Sequence, residues 1–209
     1  MKNIISGSIR LATVYSIGLH ELPPYIKRFL QDYPSVNVHV EYRRPNQVYE
    51  DVLGNIVDLG LVAYPSRDPK LEIVPIRKDP LVLICHPQNP FAKLKKVGLK
   101  ALNGQKFISF DADMPTRKAL DKILKEHGVK VQHVKEFDNI ETLKAVVELD
   151  SGLAIVPEET VRQEVAKQTL TAVPIEGKYF RELGVIYQKS RVLSPAIRLF
   201  IKCLKESAD

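Results

Sequence analysis

An α/β fold of two Rossmann-like lobes is predicted by three observations. A strand–helix–strand–helix–strand pattern occurs twice along the 209 residues. A near-repeat, NQVYEDVLGNIVDLGLVAYP at 46–65 and NIETLKAVVELDSGLAIVP at 139–157, closes each pattern on Gly-Leu-x-x-x-Pro after an acidic residue. Two segments, near 78–81 and near 174–179, cross between the patterns. Helices alternating with short β-rich runs imply mostly parallel sheets. Duplication and convergence on a common βαβ plan both account for the echo. Residues 1–79 with 180–209 are expected to form lobe I, and 80–179 lobe II.

The elements follow in chain order. IRLATV at 9–14 reads as a buried strand. Leu22, Ile26, Phe29, Leu30 and Tyr33 then recur at helical spacing, and Pro23 and Pro24 demand a kink or a fresh first turn because neither ring fits a helix interior. VNVHVEY at 36–42 alternates apolar and polar residues, the mark of a strand. Val48, Val52 and Ile56 make a helical stripe, and 58–63 closes the first pattern. LEIVPIRKDPLVLICHP at 71–87 reads as two strands broken at Lys78-Asp79-Pro80.

The second pattern starts with a strand at 106–110. A helix over 115–127 follows, with Pro115 in its first turn and Gly128 just past its end. A strand over 129–134 comes next, and then a helix with Ile140, Leu143 and Val147 as its stripe. Asp138 with Glu141 three residues later fits a capping box. Gly152 to Val156 is the closing strand. Pro157 starts a helix carrying Val161 and Val165, 183–187 is a strand, and Ser194-Pro195 caps a last helix with Ile197, Phe200, Ile201 and Leu204.

Composition narrows the function classes. With 44% hydrophobic and 27% charged residues the chain is of ordinary globular type. No apolar run approaches the roughly 18 residues of a membrane span, and the start, MKNIISGSIRLATV, reads as a strand and not as a signal peptide. Cys85 and Cys203, each in apolar surroundings, fit buried reduced thiols of a cytoplasmic protein. The formal charge of +6 is interleaved with acids, as in KALDKILKEHG. It describes a solvated surface better than a nucleic-acid interface.

In open α/β sheets, ligands bind beyond the carboxyl ends of strands, where helix N-termini offer N–H groups and positive dipole ends. Four strand-to-helix turns qualify, and the candidate ligand-binding residues lie on them: Ser16 and Ile17; Arg44, Pro45 and Asn46; Pro115, Thr116 and Arg117; and Asn139. Such a set suits a small anion, with Arg44 and Arg117 able to bond a carboxylate. Ser16, Thr116 and Asn139 also fit plain helix caps, and Arg43, Arg44 and Arg117 surface charges. A two-crossing design makes a hinge with a cleft between lobes, the default place for a ligand.

Catalysis, metals and cofactors are not expected. The five histidines show no metal-ligand spacing, and there is no CxxC pair, GxSxG elbow, P-loop or GxGxxG. Ser16 with His20 could pair as nucleophile and base, yet nothing marks an orienting acid.

In their order and spacing, SGSIRLATVYSIGLHELPPYIKRFLQDYP, VYEDVLGNIVDLGLVAYP, LVLICHPQNPFA and NIETLKAVVELDSGLAIVPEETV resemble the effector-binding domain of LysR-type transcriptional regulators, over residues 8 to about 205. The resemblance implies a fold like type 2 periplasmic binding proteins and a cytoplasmic sensor of a small, commonly anionic metabolite. It implies a homodimer or homotetramer, with the helix at 22–33 of one subunit meeting the helix at Pro115 of another. DNA binding is then expected only through a winged helix-turn-helix domain preceding this one. Position by position, Ser16 matches the family's hydroxyl residue at the first helix start, with Ile17 offering its backbone. Pro45 and Asn46 match the second turn, Pro115 and Thr116 the third, and Asn139 the region lining the cleft. Arg43-Arg44 replaces smaller residues often found there. The alternative class is an extracytoplasmic solute-binding protein of a transporter, built from the same lobes.

Overall fold

The computed structural model describes residues 5–206 of the chain. The reading of the first four residues as the lead into a strand lies outside the described residues. By its contacts the chain divides into two compact units, Met1–Lys78 with Glu182–Asp209 (unit 1) and Asp79–Arg181 (unit 2).

In unit 1, β1 (Gly7–Thr13) leads into a single wide π-helical turn (Ile17–Glu21) and then α1 (Leu22–Asp32). The Leu22 amide donates to the Ile17 carbonyl, one residue further back than in an α-helix. This widening lies just ahead of Pro23 and Pro24, whose missing N–H groups and bulky rings would otherwise break the ladder. β2 (Val36–Tyr42), α2 (Pro45–Leu53) and β3 (Leu59–Ala63) complete the pattern. β4 (Leu71–Cys85) then carries the chain from unit 1 into unit 2.

In unit 2, β5 (Lys106–Phe110), α3 (Pro115–Glu126), β6 (Gln132–Phe137), α4 (Ile140–Val147) and β7 (Ala154–Pro157) repeat the order. α5 (Arg162–Ala166) and β8 (Thr171–Pro174) follow. β9 (Phe180–Gln188) returns the chain to unit 1, where α6 (Pro195–Glu206) ends it.

The sheets are mixed, not mostly parallel. β1 pairs parallel with β2 and β3, and β5 pairs parallel with β6, but β3 runs antiparallel to β9 and β4 antiparallel to both β7 and β8. The parallel pairs belong to the βαβ repeats, whereas the crossing strands supply the antiparallel ones.

The segment read as broken at Lys78-Asp79-Pro80 is one continuous strand, β4. Asp79 is fully buried there, and its carboxylate accepts from Arg181 Nη2 at 2.8 Å. A local turn signal is overridden by a partner 102 residues away. Past that point β4 buries both faces. Leu81, Leu83 and Cys85 join one apolar cluster, while Val82 and Ile84 join another, the two-residue period of a strand covered on both sides.

Unit 1 has one core, centred on the edge-to-face contact of Phe29 and Phe200, 5.0 Å apart. Each such buried side chain contributes about 1.5–3 kcal/mol. Ser194 accepts from the Ile197 amide, capping α6 as its sequence suggests. Both cysteines are free and buried, and burial, aided by the charge of Asp150, pushes the Cys85 thiol up to about 11.

Ile56 and Val165, expected on buried stripes, are 56% and 40% exposed. Ile56 lies beyond the last turn of α2, and α5 is too short to make a stripe. Among the described residues no helix is long and apolar enough to cross a membrane.

Candidate functional site

The residues singled out from sequence collect at the carboxyl ends of the parallel strands, and in each unit a backbone bond stitches two turns together. In unit 1 the Arg43 amide donates to the Thr13 carbonyl at 2.9 Å, so the β1–α1 and β2–α2 turns lie side by side. In unit 2 the Asp111 amide donates to the Phe137 carbonyl at 2.9 Å, joining the β5–α3 turn to the β6–α4 turn.

Ser16 stands at the head of the wide turn before α1. Its side chain makes no capping bond, in contrast to the plain cap it resembles in sequence. Ile17 behind it is fully buried, which fixes the backbone at this point. Tyr15 and Tyr42 stack across the two turns, with ring centroids 5.2 Å apart. The Tyr42 ring fills the place a side chain on residue 18 would take: a Cβ on Gly18 would lie 2.6 Å from Tyr42 Cε1. An aromatic residue at or just past the end of each strand was the available sequence signal for this pair.

Pro45 opens α2, and the Arg44 amide donates to Gln47 Oε1 at 3.1 Å, so Gln47 reaches back to close the first turn. Asn46 is exposed on the same turn. Arg43 is committed locally, donating to Asp51 at 2.9 Å and to the Tyr42 carbonyl at 3.1 Å, and pairing with Glu41 at 2.9 Å. The bond to Asp51 leads the effects that raise its pKa.

In unit 2 Pro115 opens α3 with Thr116 buried behind it. Arg117 is buried, and its guanidinium is engaged within the unit. It donates to both Asp121 oxygens at 2.9 Å, to the Phe110 carbonyl at 2.9 Å and to Glu136 at 2.6 Å. Burial alone would lower its pKa, but Glu136 and Asp121 outweigh that and raise it. The group expected to reach a ligand thus braces the end of β5 against β6, and it is neither a surface charge nor an open donor.

Asn139 caps α4, its Oδ1 accepting from the Thr142 amide at 2.9 Å and its Nδ2 donating to Asp138 at 3.1 Å. The expected Asp138–Glu141 capping box therefore moves one residue along. Asn139 holds the cap, and Asp138 supports it.

What these turns can do follows from the helix starts. Each presents N–H groups ahead of the first intrahelical bonds, with the positive end of the helix dipole. At exposed ends this favours an anion by about 0.3–1 kcal/mol per helix. Among the described residues no group of His, Cys, Asp or Glu side chains is placed to hold a metal ion.

The family model described as LysR substrate binding domain matches residues 3–209. The HTH-type transcriptional activator CmpR of Synechocystis sp. is 26% identical over 205 residues, covering 98% of this chain and 67% of that protein. The RuBisCO operon transcriptional regulator of Allochromatium vinosum is 25% identical over 201 residues, 96% of this chain and 66% of that one. The chain thus spans about two thirds of the length of these relatives. Among solved structures, the Synechocystis CcmR regulatory domain in complex with 2-PG is similar with a TM-score of 0.87 and 25% identity over 98% of each chain. The effector binding domain of QuiR in complex with shikimate also has a TM-score of 0.87, at 20% identity and the same coverage. The cofactor-binding domain of the Cbl transcriptional regulator reaches 0.89 at 19% identity, over 100% of this chain and 92% of that one. The fold is the periplasmic-binding-protein-like one that these domains share.

Proposed function

The chain belongs to the LysR substrate-binding domain family, and from that premise we propose that it is the effector-sensing domain of a LysR-type transcriptional regulator, holding a small anionic metabolite at the strand-to-helix turns. The matched relatives are transcription regulators, and the domain is not an enzyme. The observation that carries the anion reading is the pairing of turns. Arg43 N bonded to Thr13 O places Ser16 and Ile17 beside Arg44, Pro45 and Asn46 in unit 1. Pro115, Thr116 and Asn139 gather likewise in unit 2, through Asp111 N and Phe137 O.

In this reading Ser16 and Thr116 supply hydroxyls, the helix starts supply N–H groups, and Tyr15 with Tyr42 forms a flat wall beside them. Arg117 acts through position, holding the β5 end against β6. An effector shifts an equilibrium between two states only by its difference in affinity for them. A 100-fold difference supplies about 2.7 kcal/mol. In a full-length regulator that shift would pass to a DNA-binding domain elsewhere in the same cytoplasmic protein.

Calorimetry with 2-PG and with shikimate as probes tests the site. Ser16→Ala and Thr116→Ala should each weaken the bound probe by about tenfold, the worth of a hydrogen bond to a charged group. Affinity unchanged in both variants would remove these turns from the site. The same proposal includes self-association, α1 of one copy meeting α3 of another, and light scattering showing only monomer at high concentration would count against it.

A further inference from the structure

Unit 2 contains a hollow at the end of α3 opposite Thr116. It measures about 400 Å3, within the range of small-molecule sites. α3 has 12 residues, so at 1.5 Å per residue its two ends stand about 18 Å apart. None of the residues lining the hollow belongs to the strand-to-helix turns.

Its floor is apolar, made by Leu124, Val129 and Val131, and its rim carries Lys125, Lys130 and His133. Leu124 and Val129 are core residues with one face turned into the hollow. The two lysines are exposed and form no ion pair among the described residues. Asp121, the one acid on the wall, takes two bonds from Arg117 at 2.9 Å, a guanidinium it shares with Glu136.

His133 is shaped for a task. The β5–β6 register slips between Phe107 and Ile108, leaving Val134 without a partner. Bulges of this kind re-aim the side chains beside them. The His133 side chain is only 28% exposed, and its Nδ1 lies 2.7 Å from the buried Ser109 hydroxyl. With Ser109 donating to Nδ1, the ring proton sits on Nε2. That atom is 3.9 Å from Asp121, too far for a hydrogen bond. Burial first, and then the charge of Arg117, lower the His133 pKa. In this tautomer Nε2 is free to donate into the hollow, and the lysines supply the positive charge.

We propose that this hollow is a second ligand site, taking a small monocarboxylate with a compact apolar body. The body rests on Leu124, Val129 and Val131, and the carboxylate takes the His133 Nε2 proton between Lys125 and Lys130. Because the site uses none of the residues at the strand-to-helix turns, it stands or falls separately from the effector reading.

The test is an amide-resolved NMR titration of the whole chain with sodium benzoate, repeated with uncharged benzamide and with the Lys125→Ala, Lys130→Ala double variant. Saturable shifts at Gly128, Val129, Val131 and His133 are expected with benzoate. Affinity should fall about fivefold or more both for benzamide and in the double variant, as the loss of two exposed charge contacts implies. Equal affinity for benzamide or in the double variant would overturn the proposal. So would shifts that never saturate, or that saturate only around Ser16 and Thr116.

Discussion

The segments α2–β3 and α4–β7 start from nearly the same sequence pattern and are held in place by different physics. α2 buries Val48 and Val52 against Gly60, and its last turn is held by neutral and surface groups: Gln188 Nε2 donates to the Val52 carbonyl at 3.1 Å, and Asp51 accepts from Arg43 at 2.9 Å. A further, more buried carboxylate anchor lies beyond the helix. Asp58 accepts from the Arg10 amide and side chain and pairs with Arg191. α4 buries Ile140, Leu143 and Val147 in the same way but adds a cation to its packed face. Lys144, 2% exposed, donates to the Thr160 carbonyl at 2.8 Å and pairs with Glu164 at 2.8 Å and Glu141 at 3.1 Å. The acid matching Asp58, Asp150, sits in a left-handed turn and accepts from Asn89 at 3.3 Å, with no ion pair among the described residues. A shared pattern sets where the apolar stripe goes; it does not set what locks the helix to its surroundings.

The sharpest way to break the comparison is at Lys144. Lys144→Ala leaves Glu164 and the Thr160 carbonyl without their cation and should cost about 3–5 kcal/mol in denaturant unfolding, whereas replacing both partners, Lys144→Met with Glu164→Leu, should be far milder. A loss under 1 kcal/mol for Lys144→Ala would mean the lock is ornamental.

The two matching glycines separate the units next. A Cβ on Gly152 would lie 2.8 Å from the Lys106 carbonyl, a backbone atom held by the Leu153 amide at 2.9 Å. A Cβ on Gly60 would meet only side-chain tips, the nearest being Val48 Cγ1 at 2.6 Å. Gly152→Ala should therefore fall near 3 kcal/mol of destabilisation, and Gly60→Ala near 1 kcal/mol, the two ends of the range for overpacking. The reverse order in thermal unfolding would show that the β5–β7 approach yields more easily than the α2 contact.

The smallest effect belongs to the acids. Asp58→Asn should cost about 1 kcal/mol, because Arg10 and Arg191 keep solvent access. Asp150→Asn should stay within about 0.5 kcal/mol. Equal losses would erase the distinction between anchor and turn.

Elements whose partners lie close in sequence were legible in it. β2 falls on the residues that alternation picks out, β5 on the expected 106–110, and α3 ends within one residue of its expected stop. Three features were not legible, each for the same reason. β4 continues through Lys78-Asp79-Pro80 because Arg181 meets Asp79 from far along the chain. β6 begins at Gln132 and not at 129, because pairing with β5 sets its register, and Val129 and Val131 are left to line the hollow. β8 was missed, since four residues with a terminal proline carry little periodicity.

For the candidate site, the turns could be found from strand-to-helix transitions, but the duties of individual side chains could not. Arg117 and Asn139 look alike in sequence as polar residues at helix starts. Only packing shows that one braces two strands and the other caps a helix.

Asp79 and Arg181 are the first and last residues of unit 2, and they clasp each other at its neck. A stretch of chain whose ends are buttoned together can leave its host and enter another through one seam, as tolerated domain insertions do. In this protein the seam is not an exposed linker: the entrance and exit of the middle segment are strands, fastened to each other by one buried ion pair.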